Sequence, residues 1–319
     1  MSVASRANGL LSRLTPAAAW TAFFFLRWCE RLLPLSVLSL LLWPPALLWD
    51  LLHARQRNPF LSWRAFPKSW QPPRWRFLLR QSLGLFHAQF PSFWPDRLST
   101  TRWLERCRIE GRNNLVEAEA RNRPVVFACL HFGPFEVIPY WLRAHGIVTT
   151  SVRTPGRKSL KRLADYQYSL SPPADVPVFL LTTDMIPMPR VAHFRKILGP
   201  GGRLLVMVDV DRGPQVTFPF QDRVFRMATG AAQLALLGDA ELIPCLIAET
   251  GVWRFVIHFG VPTPRQYLTN PPNMQAIGPH LLAEFSKFVT QYSTQCKYRL
   301  LRAMLPTAMA EIAKQPESH

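Results

Sequence analysis

The sequence predicts an α/β fold, with a mostly parallel sheet flanked by helices and an N-terminal membrane-inserted helix before it. From about residue 110, short apolar runs alternate with amphipathic stretches, as expected where helices cover the faces of a parallel sheet. The run Arg203–Asp209 is nearly continuous in apolar residues, as strands buried on both faces are. Residues 32–49 carry no charge, and this length of 18 residues is near the lower limit for a spanning helix.

Short runs rich in β-branched and aromatic residues predict the strands, and turn residues separate them from helices. Gly146 ends the first of these helices, and a glycine-rich turn at 199–202 precedes the most apolar strand. The predicted strands are Val125–Leu130, Ile147–Val152, Val176–Leu181, Arg203–Asp209, Leu242–Ala248 and Trp253–Phe259. The predicted helices are Pro134–Ala144, Arg157–Tyr168, Pro189–Ile197, Ala228–Leu237 and a long closing helix over roughly Pro279–Leu305.

Composition restricts the class of partner. The 319 residues contain 38 Lys and Arg against 20 Asp and Glu, a formal net charge of +18. This excess predicts an anionic partner such as nucleic acid, an acidic membrane surface or an acidic protein. Residues 51–110 hold 11 Lys and Arg against 3 Asp and Glu, interleaved with Trp and Phe. That mixture favours an interface with anionic membrane lipid over one with nucleic acid. The competing interpretation is that the aromatic side chains stack with the bases of single-stranded nucleic acid.

The same patterns divide the chain into an N-terminal membrane anchor (1–55), a basic aromatic interfacial segment (56–110) and an α/β domain (111–319). Pro34 and the pair Pro44-Pro45 complicate a straight span, so a kinked span and a half-inserted hairpin are both open. A core helix of a soluble protein is the alternative. Positive charge is denser after the apolar stretch, which predicts that most of the chain lies on the cytoplasmic side. The five scattered cysteines favour reduced thiols, and no His/Cys cluster has the spacing of a metal site.

The most specific local pattern is His131-Phe-Gly-Pro-Phe-Glu136, directly after the first predicted strand. Gly133-Pro134 breaks the strand, and Pro134 suits the first turn of a helix that would include Glu136. The pattern predicts that Glu136 accepts one ring N–H of His131, so that the other nitrogen takes a proton from a substrate hydroxyl. A polar strand end with no catalytic role is the alternative.

The chain resembles the lysophospholipid acyltransferase superfamily, whose signature is His-x4-Asp or His-x4-Glu, and is most similar to its bacterial lipid A late (lauroyl/myristoyl) acyltransferases. Residues 201–213 resemble the family's glycine-containing turn, apolar strand and Asp-x-Asp end. Phe218–Gln221 and Ala228–Gly230 resemble its Phe/Pro turn and its Thr-Gly helix start, and Arg153–Pro155 its Arg-Pro turn. Phe218–Gln221 lacks the Glu and Gly of glycerolipid acyltransferases, which argues against lysophosphatidate as acceptor.

Each block supplies site residues. Arg153 could pair with an acceptor phosphate. Asp209 and Asp211 are expected on one face of a strand, where one of them could order the site through Arg212 or a backbone N–H, or act only as a structural cap. Thr229, with Gly230 after it, is expected at the start of the helix Ala228–Leu237, where a threonine is a good N-cap. The free N–H groups beside it could hold an oxyanion or a phosphate, or Thr229 could act only as a cap.

The resemblance implies a membrane-bound O-acyltransferase on the cytoplasmic face of the bacterial inner membrane. Acyl carrier protein or acyl-CoA would donate a fatty acyl group to a hydroxyl of a lipid A-type precursor or related lipid, without a cofactor or an acyl-enzyme intermediate. Another glycolipid or an amino-lipid as acceptor fits the same residues. A catalytically silent membrane-surface binding protein on the same scaffold is a further alternative, and a nucleic-acid binder is the third.

Overall fold

A computed structural model describes residues 100–153, 178–180, 187–211 and 213–306, with parts of 25–44 and 66–80. Its main feature is a seven-stranded sheet in the order β1-β9-β8-β2-β5-β3-β4, in which only the β8–β9 pairing is antiparallel. A three-stranded antiparallel sheet has the order β10-β7-β6. The strands are β1 Cys107–Glu110, β2 Val125–Cys129, β3 Thr150–Arg153, β4 Val178–Leu180, β5 Arg203–Met207, β6 Gln215–Phe220, β7 Arg223–Ala228, β8 Glu241–Gly251, β9 Arg254–Phe259 and β10 Met304–Pro306.

Helices cover the sheet, so the α/β part of the prediction is confirmed. The α-helices are α1 Thr101–Leu104, α2 Arg112–Ala120, α3 Ile138–Ala144, α4 Pro187–Ile197, α5 Gly230–Leu237, α6 Met274–Gln291 and α7 Tyr298–Ala303. Short 3-10 turns lie at Lys68–Trp70, Phe135–Val137, Arg265–Tyr267 and Ser293–Gln295. The helix predicted at Arg157–Tyr168 lies outside the described residues.

Strand β2 shows how the sheet separates two cores. All five of its residues are buried, because both faces of a central parallel strand are covered. Val126 and Ala128 belong to one apolar cluster, whereas Phe127 and Cys129 belong to the other. Successive side chains of a strand point to opposite faces, which accounts for this alternation. The first cluster includes buried residues of α5, α6 and α7, and the second those of α2 and α3.

The structure differs from the prediction in several places, three of which concern the sheets and the closing helix. The stretch before α5 forms the hairpin β6–β7 where no strand was expected. The long helix expected over Pro279–Leu305 is instead two helices, α6 and α7, separated by the turn Ser293–Gln295. Strand β1 lies at the edge of the seven-stranded sheet, so the sheet includes residues before 111.

The N-terminal segment contacts the folded core. Cys29, Leu38 and Ser39 are buried there, and Ser39 Oγ accepts a hydrogen bond from the indole N–H of Trp253 in the β8–β9 turn. Within the residues that can be described, no helix is both long and apolar enough to cross a membrane. The membrane-inserted helix therefore stays a prediction, and most of residues 1–55 lie outside the described part.

Candidate active site

Strand register brings His131 and Asp209 together. β2 and β5 are parallel neighbours in which Cys129 lies opposite Met207. The amide of Val208 continues the ladder by donating to the carbonyl of Cys129 at 2.9 Å. His131 lies two residues after the end of β2, and Asp209 lies two residues after the end of β5. Both residues are at the carboxyl edge of the sheet. In open α/β sheets this is the edge where ligands bind.

Asp209 holds His131 through two hydrogen bonds. Its Oδ1 lies 2.8 Å from Nδ1 of the ring, and its Oδ2 accepts the backbone N–H of His131 at 2.9 Å. The Asp209 side chain is fully buried, and that of His131 is only 6% exposed. A carboxylate accepts and cannot donate, so Nδ1 carries a proton, and in the neutral imidazole Nε2 presents a lone pair. The ring is therefore fixed with Nε2 available as a base.

Two side chains surround the ring of His131. A guanidinium nitrogen of Arg299, on α7, lies 3.3 Å from Nε2. The ring of Phe135 contacts the imidazole edge to face, with 4.6 Å between the ring centres. The imidazole therefore has an apolar contact with Phe135 and a cation at Nε2, the nitrogen that would accept a proton.

The segment after β2 is tied to the segment before α7. The carbonyl of His131 accepts the N–H of Lys297 at 3.2 Å, and Phe132 forms an isolated antiparallel bridge with Cys296. The amide of Gly133 donates to the carbonyl of Gln295 at 3.0 Å. These contacts place the start of α7 beside the base, because three consecutive residues on one side pair with three on the other.

A further layer of buried polar contacts supports this segment. The Gln295 amide pairs with the backbone of Glu249, donating to its carbonyl at 2.8 Å and accepting from its N–H at 2.9 Å. The buried carboxylate of Glu249 accepts from Arg80 at 2.8 Å and from the backbone N–H of Trp253 at 3.1 Å. The hairpin β8–β9 is thereby connected both to the site and to the N-terminal segment.

The expectation that Glu136 orients the ring is wrong, because the carboxylate at Nδ1 is that of Asp209. Glu136 is half-buried and lies in the 3-10 turn Phe135–Val137 instead of the first turn of an α-helix. In this turn the ring of Phe135 faces the imidazole.

Of the other acidic and basic residues predicted for the site, Asp209 and Asp211 have side chains that the structure describes. Asp209 is buried and Asp211 is exposed, so the prediction that both share one face is wrong. The reason is that β5 ends at Met207, and the alternation of a strand does not extend to either residue. Asp209 does order the site through a backbone N–H, that of His131. Arg212 lies outside the described residues, as does the side chain of Arg153, whose backbone ends β3.

Thr229 precedes the first residue of α5, Gly230, as predicted, but its side chain makes no capping hydrogen bond. Its hydroxyl donates instead to the carbonyl of Pro214 at 3.3 Å, and its φ of −80° and ψ of −9° are already helical. The amide of Ala228 donates to the carbonyl of Val208 at 2.8 Å. The start of α5 therefore lies next to the residue that precedes Asp209.

The thiols near the site are protonated. All five cysteines are free and buried. Burial raises the pKa of Cys129 and of Cys296 well above the usual value, and the charge of Asp209 adds to the effect in both. A thiolate is the nucleophilic form, so neither residue is an activated nucleophile. No group of three or more potential metal ligands occurs among the residues that the structure describes.

Arg299 and Gln295 were not singled out from the sequence. Both lie within the stretch predicted as one long helix, where an Arg and a Gln are ordinary surface residues. The break after Gln291, at the turn Ser293–Gln295, brings them to the site.

Comparison with models of protein families and with curated proteins gave no match for the chain.

Proposed function

We propose that the protein is a membrane-bound O-acyltransferase at the cytoplasmic face of a bacterial inner membrane. It transfers a fatty acyl group from a thioester donor to a hydroxyl of a lipid A-type precursor or related lipid. The observation that carries the proposal is the buried His131–Asp209 pair, which leaves Nε2 as a proton acceptor at the carboxyl edge of the sheet. The resemblance of the His-x4-Glu pattern and of the downstream blocks to the acyltransferase superfamily supports acyl transfer as the type of reaction.

In this mechanism Nε2 of His131 takes the proton of the acceptor hydroxyl, and the resulting alkoxide attacks the thioester carbonyl. The C–S bond of the tetrahedral intermediate then breaks, and the imidazolium returns its proton to the leaving thiolate. Asp209 stabilises the imidazolium through the hydrogen bond at Nδ1. The raised pKa of Cys129 and Cys296 favours this direct transfer over an acyl-thioester on the protein.

The charge of the chain supports an acidic donor. Acyl carrier protein and the CoA moiety are both anionic, and a net charge of +18 attracts either of them to the protein. Arg74 and Arg76 are exposed, and Arg76 lies over the ring of Trp75 at 5.1 Å.

The exposed side of the N-terminal segment supports attachment to a membrane. Its buried side packs against the core through Cys29, Leu38 and Ser39. Its other side presents large apolar side chains that are 57–68% exposed: Phe25, Trp28, Leu32, Leu40 and Leu41. Apolar and aromatic side chains with nearby arginines suit insertion among lipid headgroups.

The test of activity is transfer from radiolabelled acyl carrier protein and acyl-CoA to a panel of lipid acceptors. Lipid A precursors, other glycolipids and amino-lipids make up the panel, and the comparison is between wild type and His131→Ala. We expect wild type to label one acceptor class, and the substitution to lower the rate by about 10²- to 10⁴-fold, because general-base catalysis contributes that much. Absence of transfer by wild type to every acceptor would overturn the proposal.

The exposed apolar side also favours a second candidate function, that of a catalytically silent membrane-surface protein, because binding to a membrane through this side does not depend on the base His131. A protein that binds vesicles yet transfers nothing would be of this kind. Binding to DNA and not to anionic vesicles would instead indicate a nucleic-acid partner.

Membrane attachment is tested by sedimentation with anionic vesicles. We expect Leu40→Glu/Leu41→Glu to weaken binding by roughly tenfold for each leucine, since each would lose the transfer of its side chain from water. Val116→Glu on α2 is the matched control, because Val116 is another exposed apolar residue. Equal binding by the double variant and the control would show that this surface does not contribute to membrane binding.

A further inference from the structure

Arg299 is a cation held at the reactive nitrogen of the base. It is exposed, yet its guanidinium lies 3.3 Å from Nε2 of the buried His131. Within the described part of the chain, Arg299 forms no ion pair with a carboxylate. Other arginines around the core do have such partners, among them Arg80 with Glu249 and Arg203 with Glu119. No carboxylate among the described residues therefore pairs with this positive charge where the reaction would occur.

The contact is compatible with only one state of the histidine. A guanidinium always donates, so Nε2 must be the acceptor and the ring must be neutral. Once the ring takes a proton from a hydroxyl, Nε2 carries a hydrogen and the two cations repel each other. Arg299 must then leave Nε2, or an anionic oxygen must lie between the two groups. The acceptor hydroxyl must also occupy the position at Nε2 that Arg299 fills.

Arg299 can move without disturbing the backbone that carries it. The start of α7 is fixed by the hydrogen bond from Lys297 to His131 and by the bridge between Phe132 and Cys296. The guanidinium is at the end of a long flexible side chain that reaches solvent. Rotation of that side chain would free Nε2, while the start of α7 stays beside His131.

We propose that Arg299 occupies Nε2 in the free enzyme and, once the acceptor hydroxyl replaces it there, donates to the anionic oxygen that forms on the attacked carbonyl. This inference rests on the proposed function and names the residue that binds the oxyanion. Electrostatic stabilisation of this kind acts on the transition state more than on bound substrate. An anionic phosphate on the donor or acceptor has the same chemistry but would be bound already in the ground state, so kinetics separate the two.

The experiment measures kcat and KM for acyl transfer from radiolabelled acyl-CoA or acyl carrier protein to the acceptor found in the panel. The proteins are wild type, Arg299→Gln, Arg299→Lys and the control Arg108→Gln. Arg108 is an exposed arginine on β1, paired with Glu110 at the edge of the sheet. Its replacement removes the same charge from the whole protein without touching the site.

For Arg299→Gln we expect kcat to fall about 10²- to 10³-fold with KM changed less than about threefold, as when one oxyanion donor is lost. Arg299→Lys should recover part of kcat, because it restores the charge without the planar pair of donors. Arg108→Gln should match wild type. Wild-type kcat in Arg299→Gln while His131→Ala is inactive would overturn the inference and leave the proposed function standing. A rise in KM alone would assign Arg299 to a phosphate instead, which also overturns it.

A second measurement does not depend on catalysis. Diethyl pyrocarbonate reacts with unprotonated imidazole nitrogen, and mass spectrometry of the peptide that contains His131 gives the rate at this residue. We expect faster modification in Arg299→Gln than in wild type and in Arg108→Gln, because Nε2 is no longer covered. Equal rates would show that Arg299 does not occupy Nε2 in the free protein and would overturn that part of the inference, whatever the outcome of the transfer assay.

Discussion

Replacing Asp209 by Asn is expected to lower the rate of acyl transfer by at least about 10²-fold, although the two side chains have nearly the same shape. Asp209 uses both oxygens as acceptors, one for Nδ1 of His131 and one for its backbone N–H. An amide has only one oxygen. If it faces the backbone, its NH2 group faces the ring, and the proton moves to Nε2, where it blocks the base. If it faces the ring, the buried backbone N–H loses its acceptor, at a cost of about 1–3 kcal/mol.

Two measurements check this expectation, namely the transfer rate and the nitrogen NMR shifts of His131, which report which ring nitrogen carries the proton. Glu136→Gln is the matched control, since it makes the same chemical change in the carboxylate that the sequence pattern favours. We expect it to lose much less activity than Asp209→Asn. A larger loss in Glu136→Gln than in Asp209→Asn would return the orienting role to Glu136.

Gly133→Ala is expected to destabilise the fold by about 3 kcal/mol or more, because two unfavourable effects combine there. Gly133 has a φ of +54°, a region that costs an alanine free energy. A Cβ atom at this position would also lie 2.1 Å from the carbonyl oxygen of Ile247 in β8. Backbone on both sides prevents relief by a change of rotamer, so the segment that carries His131 must shift.

The free energy of unfolding in urea measures this effect, and Gly146→Ala isolates one of its causes. Gly146 has a φ of +80°, but a Cβ atom there would meet nothing within 4 Å. That substitution should therefore cost only about 1–2 kcal/mol, the penalty of the left-handed conformation alone. If both variants unfolded at the same urea concentration with equal slopes, the close approach of Gly133 to β8 would not contribute to stability.

The sheet could be predicted from the sequence to the extent that its strands are apolar throughout. β2 and β5 were found because central parallel strands read as continuous apolar runs. The hairpin β6–β7 is not a continuous buried run, because exposed and buried residues alternate at the end of β6. Pro219 within β6 is also a residue that central strands exclude. β6 is an edge strand of the smaller sheet, where the missing N–H of a proline is tolerated.

The site could be predicted only in part, for a similar reason. Local pattern placed His131 and Asp209 at the ends of strands, but their contact depends on which strands are neighbours. They are 78 residues apart in sequence, and no local signal gives the register of β2 against β5. Glu136 was preferred as the partner because it is close in sequence, whereas the contact was decided by strand pairing. Arg299, at a separation of 168 residues, had no signal of its own.

The separation between His131 and Arg299 affects the order of events during synthesis. A ribosome that adds about 5–20 residues per second needs on the order of 10–30 s to reach Arg299 after His131. Asp209 is added 78 residues after His131, so in the later part of this interval the nascent chain contains both the base and Asp209. It still lacks Lys297 and Arg299, which pair with His131 in the finished fold. The exposed apolar residues between Phe25 and Leu41 precede both groups in the chain. Under the proposed function, these residues are therefore available to a lipid surface before the candidate site is complete, and attachment to the membrane would precede chemistry.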